Sequence, residues 1–173
     1  MSDAKLKIGW AQADITPDEP VYVIGQFHAR VSEGVLDPIT ATALVLDAGD
    51  EHVVLVSIDT VAVGQALEEA IAERLDGPSA GALVMNATHT HTAPPTRGES
   101  FTEENPYGIE LDVMEAGAYV EFAAGRIADA VNEAWAGRAE GSVAFGLGQA
   151  VVGRNRRWVD VNGVSTMYGD TNT

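Results

Sequence analysis

The stretch ITATALVLDAGDEHVVLVSIDT, residues 39–60, decides the fold of this chain. Two runs of branched apolar residues flank the short polar loop DAGDE, which contains Gly49. Runs of this kind, separated by a short loop with a glycine, are typical of two antiparallel strands joined by a tight turn. The stretch therefore predicts a β-hairpin.

Further strands and two helices are predicted on both sides of this hairpin. Strands are expected at residues 5–15, 81–88 and 141–152, and a second hairpin at 156–169, turning at Asn162-Gly163. Helices are expected at residues 64–77 and 118–135, where apolar residues recur every three or four positions. This order predicts an α/β fold with a mixed β-sheet and flanking helices, in one domain spanning residues 1–173.

The composition excludes several classes of protein. The formal net charge of −16 argues against a nucleic-acid partner, whose phosphates need basic surface. No apolar run reaches the roughly 18 residues that cross a bilayer, so no transmembrane segment is expected. The N-terminus lacks the apolar core of a signal peptide, which makes the cytoplasm the expected compartment. Because the chain has no cysteine, any metal must be held by His, Asp, Glu or Tyr.

Three arginines form a cluster in this otherwise acidic chain. Arg154, Arg156 and Arg157 lie close together near the C-terminus. Such a cluster suits an anion or the polarised oxygen of a substrate, but it also suits ion pairs with neighbouring carboxylates. Charge alone ranks the ion pairs first.

The segment VMNATHTHTAPP, residues 84–95, carries the strongest candidate site. In an extended segment His89 and His91 point to the same side, just past the C-terminal end of a strand, where open α/β sheets place ligand sites. Neutral imidazole is a common zinc ligand, so the two histidines can share a metal, or one binds it while the other contacts substrate. The alternative is a hydrogen-bonded turn without a function.

Other polar residues add to this candidate site. Asp59 ends an apolar strand, where a carboxylate needs a partner, and it either braces the following turn or supports the histidines from behind. His28 is a third candidate histidine or a solvated loop residue, and His52 is expected at the surface of the hairpin loop. Residues 98–117 contain acids and breakers of regular structure, and we expect them to form a mobile flap near His91.

Four segments resemble, in this order, the N-terminal catalytic domain of neutral, non-lysosomal ceramidases. They are ADITP (13–17), ATALVLDAG followed by VVLVSIDT (41–60), NATHTHTAPP (86–95) and GRNRR (153–157). The resemblance runs across nearly all of the chain, and THTH followed by a proline is its most specific part. That family consists of zinc-dependent amidases that cleave the N-acyl bond of ceramide. The resemblance implies that this chain forms the first part of a larger layered catalytic domain.

The resemblance also implies roles for individual residues. His89 matches the first histidine of the family's His-Thr-His and would bind Zn²⁺. His91 matches the second and, as a catalytic residue, would contact the amide oxygen of the substrate or the metal-bound water. Arg156 would belong to the same oxyanion-stabilising group, because a fixed cation favours the transition state. Its neighbours Asn155 and Arg157 would bind substrate.

The chain also departs from that family. Arg157 stands where ceramidases carry serine, and the family's remaining zinc ligands (a histidine, a glutamate and a tyrosine) have no counterpart in this sequence. We therefore expect an incomplete unit, whose sheet edges are covered by a second chain or by a further C-terminal segment. A homo-oligomer is the other arrangement considered.

Two functions follow as hypotheses. The first is a metal-dependent hydrolase of an amide or related acyl bond, acting on a small-molecule or lipid-like acyl amide, with zinc polarising the carbonyl and activating water. The alternative is a catalytically inactive binding or assembly module that retains the fold. Turnover of N-acyl amides, esters or lactones would separate them.

Overall fold

A five-stranded mixed sheet dominates the computed structural model, which describes residues 5–26, 28–97, 112–153 and 157–167. Its strands are β1 (Lys7–Asp14), β2 (Thr40–Asp47), β3 (His52–Ile58), β4 (Leu83–Ala87) and β5 (Ala139–Glu140). They lie in the order β4-β3-β2-β1-β5. The β3–β4 pair is parallel and the other pairs are antiparallel. The predicted mixed sheet is confirmed.

The hairpin of β2 and β3 forms as the sequence predicts. Asp47 pairs with His52 at its closed end, and Gly49 in the loop has a φ of 91°, a conformation that glycine adopts without strain. The Gly49 N–H donates to the Asp47 carboxylate at 2.9 Å. Alternate residues of both strands are buried, so the two strands share one core face.

Two helices, α1 (Gln65–Ala72) and α2 (Ala116–Ala136), pack on that core face. Helix α1 is shorter than the predicted 64–77, because the Arg74 N–H donates to the Ile71 carbonyl and tightens the last turn. Helix α2 begins two residues before the predicted 118–135. Ile127 and Val131, on its predicted apolar face, are fully buried. Neither helix is long and apolar enough to cross a membrane.

The opposite face of the sheet is uncharged over its central rows. Cross-strand neighbours in the first row are Trp10, Leu44, Leu55 and Val84. The second row consists of Ile8, Leu46 and Val53, and the third of Gln12, Thr42, Ser57 and Asn86. Trp10 is 66% exposed and Val84 53% exposed. The sheet therefore presents two apolar rows and one polar row on the side away from the helices.

The strand predicted at 141–152 is wrong. Regular pairing with β1 ends at Glu140, and among the described residues the last backbone hydrogen bond of this edge runs from the Gly141 N–H to the Leu6 carbonyl. The apolar side chains of Phe145 and Leu147 are fully exposed. An alternating apolar pattern forms a strand only where a neighbouring strand accepts its hydrogen bonds and covers one face.

The chain groups into two compact units, residues 1–142 and 143–173. The second contains the predicted hairpin, formed by β6 (Arg157–Val159) and β7 (Ser165–Met167). Asp160 accepts hydrogen bonds from the N–H groups of Val164 and Asn162, which hold the pKa of its carboxyl below the usual value. The single domain spanning 1–173 stays a prediction.

Candidate functional site

The paired histidines follow β4 at the edge where the parallel strands β3 and β4 both end. The Thr88 N–H donates to the Ile58 carbonyl at 3.0 Å and extends the parallel pairing by one residue. His89 then has a φ of 64°, which is unusual for a residue with a side chain and costs about 1 kcal/mol or more. The extended backbone predicted through this segment is therefore interrupted at His89, where the chain leaves the sheet.

The two imidazole rings nevertheless meet. The His89 Nε2 and His91 Nε2 atoms are 3.3 Å apart, and the rings cross at 79° with centroids 4.8 Å apart. The left-handed backbone at His89 brings the two rings together, whereas the sequence predicted from an extended segment that they point to the same side.

A hydrogen bond at Nδ1 fixes the orientation of the His89 ring. Its Nδ1 lies 2.7 Å from the carbonyl oxygen of Val61, in the loop that follows β3. A carbonyl can only accept, so Nδ1–H is the donor and the neutral ring keeps its lone pair on Nε2. Metal-binding histidines are commonly oriented by a carbonyl in this way, which leaves Nε2 available to a metal.

The spacing of the two rings also fits a zinc ion. Two nitrogen ligands at about 2.0–2.1 Å from a tetrahedral zinc are about 3.3–3.4 Å from each other. The observed Nε2–Nε2 distance of 3.3 Å has this value. It also fits a hydrogen bond from one ring to the other. The pair can therefore supply two of the ligands of a metal or one ligand and one polar neighbour.

The described residues do not supply a third His, Asp or Glu ligand beside the pair. Among them no group of three or more His, Asp or Glu side chains could hold a metal ion. His28 is exposed. His52 is not in the loop but begins β3, where its Nε2 accepts from the Ser79 N–H at 3.1 Å and its ring lies against Trp135. The loop position predicted for His52 is wrong, because the residue begins β3 and its half-buried ring packs against Trp135.

Asp59 contacts the neighbouring turns. Its Oδ2 accepts from the N–H and the hydroxyl of Thr40, at 2.8 and 3.0 Å. Its Oδ1 accepts from the Thr88 hydroxyl at 3.1 Å, one residue before His89. These are the contacts of a brace between β2, β3 and β4. Support of the histidines by Asp59, which would act through Thr88, stays a prediction.

The exit from the motif is buried and tied to the loop after β3. Residues 93–96 are buried, and the Thr96 hydroxyl donates to the Ala62 carbonyl at 2.6 Å. The same hydroxyl accepts from the Gly64 N–H at 3.0 Å. The exit through Pro94 and Pro95 therefore has anchors that the sequence did not indicate.

Sequence reasoning missed two residues that contact His91. Arg30 donates through Nη2 to the His91 carbonyl at 2.6 Å, and Gly25 lies directly against the His91 ring. An arginine in a loop is normally interpreted as solvated, and the partners here are backbone carbonyls, which leave no mark in a sequence. The one available signal was the position of both residues beside His28, in a segment already considered for the site.

The remaining predicted site residues lie elsewhere in the chain. Asn155 and Arg156 are outside the described residues. Arg157 begins β6 in the second unit. Most of the flap predicted over 98–117 also lies outside the described residues, and its last two residues belong to α2. The roles of the three C-terminal residues stay predictions.

A cleft of about 500 Å³ adjoins the exit of the histidine segment. Thr92 and Pro94 contribute to its wall. Its other apolar lining residues are Pro17, Pro20, Val21, Val23, Val35, Leu36 and Ile39, and its acidic ones are Asp18, Glu19, Glu33 and Asp37. The cleft offers an apolar surface next to the candidate site.

Comparison with solved structures gives two relatives in fold. The first is the neutral ceramidase from Pseudomonas aeruginosa, with a TM-score of 0.65 and 21% identity, covering 80% of this chain and 23% of that chain. The second is a ceramidase complexed with C2, with a TM-score of 0.61 and 21% identity, covering 80% of this chain and 22% of that chain. No family model and no curated protein matches the chain.

The structural likeness confirms the ceramidase-like fold that the four sequence segments predicted. It also shows that the α/β arrangement corresponds to one part of a larger domain. The chain spans less than a quarter of the length of the structures that it matches.

Proposed function

We propose that the chain is part of a metal-dependent hydrolase of an amide or related acyl bond, with His89 as a zinc ligand. The observation that carries this proposal is the geometry of the histidine pair. A backbone carbonyl fixes the His89 ring so that Nε2 faces the His91 Nε2 at 3.3 Å. That arrangement suits metal binding better than a turn without function, because a turn needs no strained residue and no paired rings.

The residues of the pair have different proposed roles. His89 binds the metal through Nε2, and His91 contacts the reacting carbonyl group or completes the ligand set. A zinc ion held there supplies Lewis acidity toward a carbonyl oxygen and lowers the pKa of bound water. Arg156 is proposed to stabilise negative charge on the substrate oxygen, and Asn155 and Arg157 to bind substrate.

The proposed substrate is a small acyl amide with an apolar acyl part. The ceramidase-like fold supports this class, and the apolar cleft beside Thr92 and Pro94 offers a surface for the acyl part. Burial of each methylene group contributes about 0.8 kcal/mol, so even a short chain would gain affinity there.

The functional unit is proposed to include further polypeptide. Two ligands from the described residues are fewer than the three that a catalytic zinc usually takes. The uncharged rows around Trp10 and Val84 also leave apolar surface open on one side of the sheet. A second chain or further segment that packs on this face would cover it and bring the missing ligands.

A metal titration tests the proposal. Isothermal titration of the complete gene product with zinc is expected to show one site, which His89→Ala removes. His28→Ala is the matched control, since it deletes an exposed histidine that belongs to no group of possible metal ligands among the described residues, and it should keep the affinity. Retention of zinc by His91→Ala assigns the second ring to substrate, and loss assigns it to the metal. Unchanged zinc binding in His89→Ala contradicts the proposal.

The second candidate is a binding or assembly module that keeps the fold without catalysis. The shortage of metal ligands among the described residues favours it. Assay of N-acyl amides, esters and lactones with the complete gene product separates the two candidates. Zinc-dependent turnover that His89→Ala abolishes supports the hydrolase, whereas zinc binding without any turnover supports the module.

A further inference from the structure

His91 is held by the segment that precedes β2, at two separate points. Arg30 Nη2 donates both to the His91 carbonyl at 2.6 Å and to the Ile24 carbonyl at 2.9 Å. The Ile24 N–H in turn donates to the Ala93 carbonyl at 3.2 Å. The backbone at His91 and two residues after it is therefore bonded to one short segment, which is remote from it in sequence.

Gly25 supplies the surface on which the His91 ring rests. A methyl group at this position would lie 2.5 Å from Cγ, 2.7 Å from Nδ1 and 2.8 Å from Cβ of His91. Atoms at these distances overlap, so the ring keeps its position only while residue 25 lacks a side chain. Gly25 also has a φ of 98°, which residues with a side chain rarely adopt.

Arg30 is an unusual residue with which to hold two carbonyls. Among the described residues it forms no ion pair, and its Nε is buried without a hydrogen-bond partner. Desolvating a cation without a carboxylate is costly, and a neutral donor would bond the carbonyls at lower cost. The planar guanidinium, however, reaches two carbonyls at a fixed angle through one nitrogen, which a flexible side chain does not.

We propose that Gly25 and Arg30 are positioning residues for His91, and that together they hold its Nε2 at ligand distance from the His89 Nε2. Arg30 fixes the backbone of His91, and the absence of a side chain at Gly25 fixes the ring. The consequence for metal affinity rests on the proposed function, whereas the consequence for ring geometry does not.

The test compares the variants Gly25→Ala, Arg30→Met and Arg30→Lys with the unmodified chain. The first readout is the nuclear Overhauser effect between the His89 and His91 rings in metal-free protein. The second is the zinc affinity of the complete gene product, measured by titration. Arg126→Met is the matched control, because Arg126 also donates to one carbonyl, that of Asp14 on the helix side of the sheet.

Gly25→Ala and Arg30→Met are expected to lose the ring-to-ring signal and to weaken zinc binding by about tenfold or more, as removal of supporting contacts does at other metal sites. Arg30→Lys should recover part of the affinity, since an ammonium group can reach one of the two carbonyls. Arg126→Met should lower only the unfolding midpoint.

The proposal is overturned if Gly25→Ala and Arg30→Met keep both the ring-to-ring signal and zinc affinity within about twofold of the unmodified chain. If either variant does not fold, the ring-to-ring signal and the zinc affinity of Arg30→Lys decide between the proposal and its failure. If the complete gene product binds no zinc, the proposed function fails, and the ring-to-ring signal alone decides this inference.

Discussion

Replacing Asp59 by alanine would show how far the candidate site depends on the brace between the strands. The Asp59 carboxylate accepts three hydrogen bonds, two from Thr40 and one from Thr88, at 2.8 to 3.1 Å. It thereby joins the first residue of β2 to the residue that follows β4, across the end of β3. We expect Asp59→Ala to loosen all three strand ends at once.

The size of the effect follows from these contacts. A hydrogen bond to an ionised group contributes roughly 1.5–3 kcal/mol, and donors that water can reach recover part of it when the acceptor is removed. Thr40 is half-buried and Thr88 is exposed, so part of each bond is recovered. We expect the free energy of unfolding to fall by about 2–4 kcal/mol, and the unfolding midpoint by roughly 4–16 °C for a chain of this size.

Urea unfolding followed by circular dichroism measures this change. Asp59→Asn keeps one oxygen acceptor and should lose about half as much stability. Asp129→Ala, at an exposed position of α2, is the control and should change stability by less than about 0.5 kcal/mol. A loss below that value in Asp59→Ala would contradict the expected role of the carboxylate as a brace. Zinc affinity of the folded variant should change little; a tenfold loss would show that the carboxylate supports His89 through Thr88.

Two further predictions concern the rest of the sheet. Arg138 donates to Asp47 at 2.7 Å and, with the Gly49 N–H, holds the pKa of Asp47 below its usual value. The stabilisation from this ion pair is therefore present above the unfolded-state pKa of about 3.9 and is lost as pH falls through the lowered folded-state pKa. The difference between the unfolding midpoints at pH 7 and pH 3 should be smaller in Asp47→Asn than in the unmodified chain. The fluorescence emission of Trp10 should be that of a water-exposed indole in the isolated chain, and it should shift to the blue when the covering polypeptide binds. Difference spectra against Trp10→Phe isolate this emission. Blue-shifted emission of Trp10 in the isolated chain would contradict an open face.

The sequence predicted the elements whose pattern repeats within a few residues. The β2–β3 hairpin is visible because two apolar runs flank a loop with a glycine, and α2 because Val120, Ile127 and Val131 recur on one face. The failure at 141–152 has the opposite cause. A strand forms only where another strand pairs with it. The alternating pattern of residues 141–152 indicates a preference for strand structure, but it does not show that a partner strand is present.

The site was predicted in its residue types and not in its geometry. His89 and His91 stand out because two imidazoles follow a buried strand. No neighbouring residue in the sequence indicates the left-handed backbone at His89. The contact that compensates its strain is the hydrogen bond to the Val61 carbonyl, in the loop that follows the neighbouring parallel strand. Arg30 was likewise invisible, because its contact with the site is to the His91 carbonyl, which is 61 residues away in sequence.

The candidate site depends on the single parallel pair of the sheet. Because β3 and β4 run in the same direction, their following loops leave from one edge, and the loop after β3 can bond the loop after β4. Val61 bonds the His89 ring, and the Ala62 carbonyl bonds Thr96 beyond the prolines. An antiparallel β4 would end at the opposite edge and could make neither contact. The His89 ring and the chain beyond the prolines are therefore both held by the loop after β3, and this explains how two rings on an exposed segment keep a 3.3 Å separation.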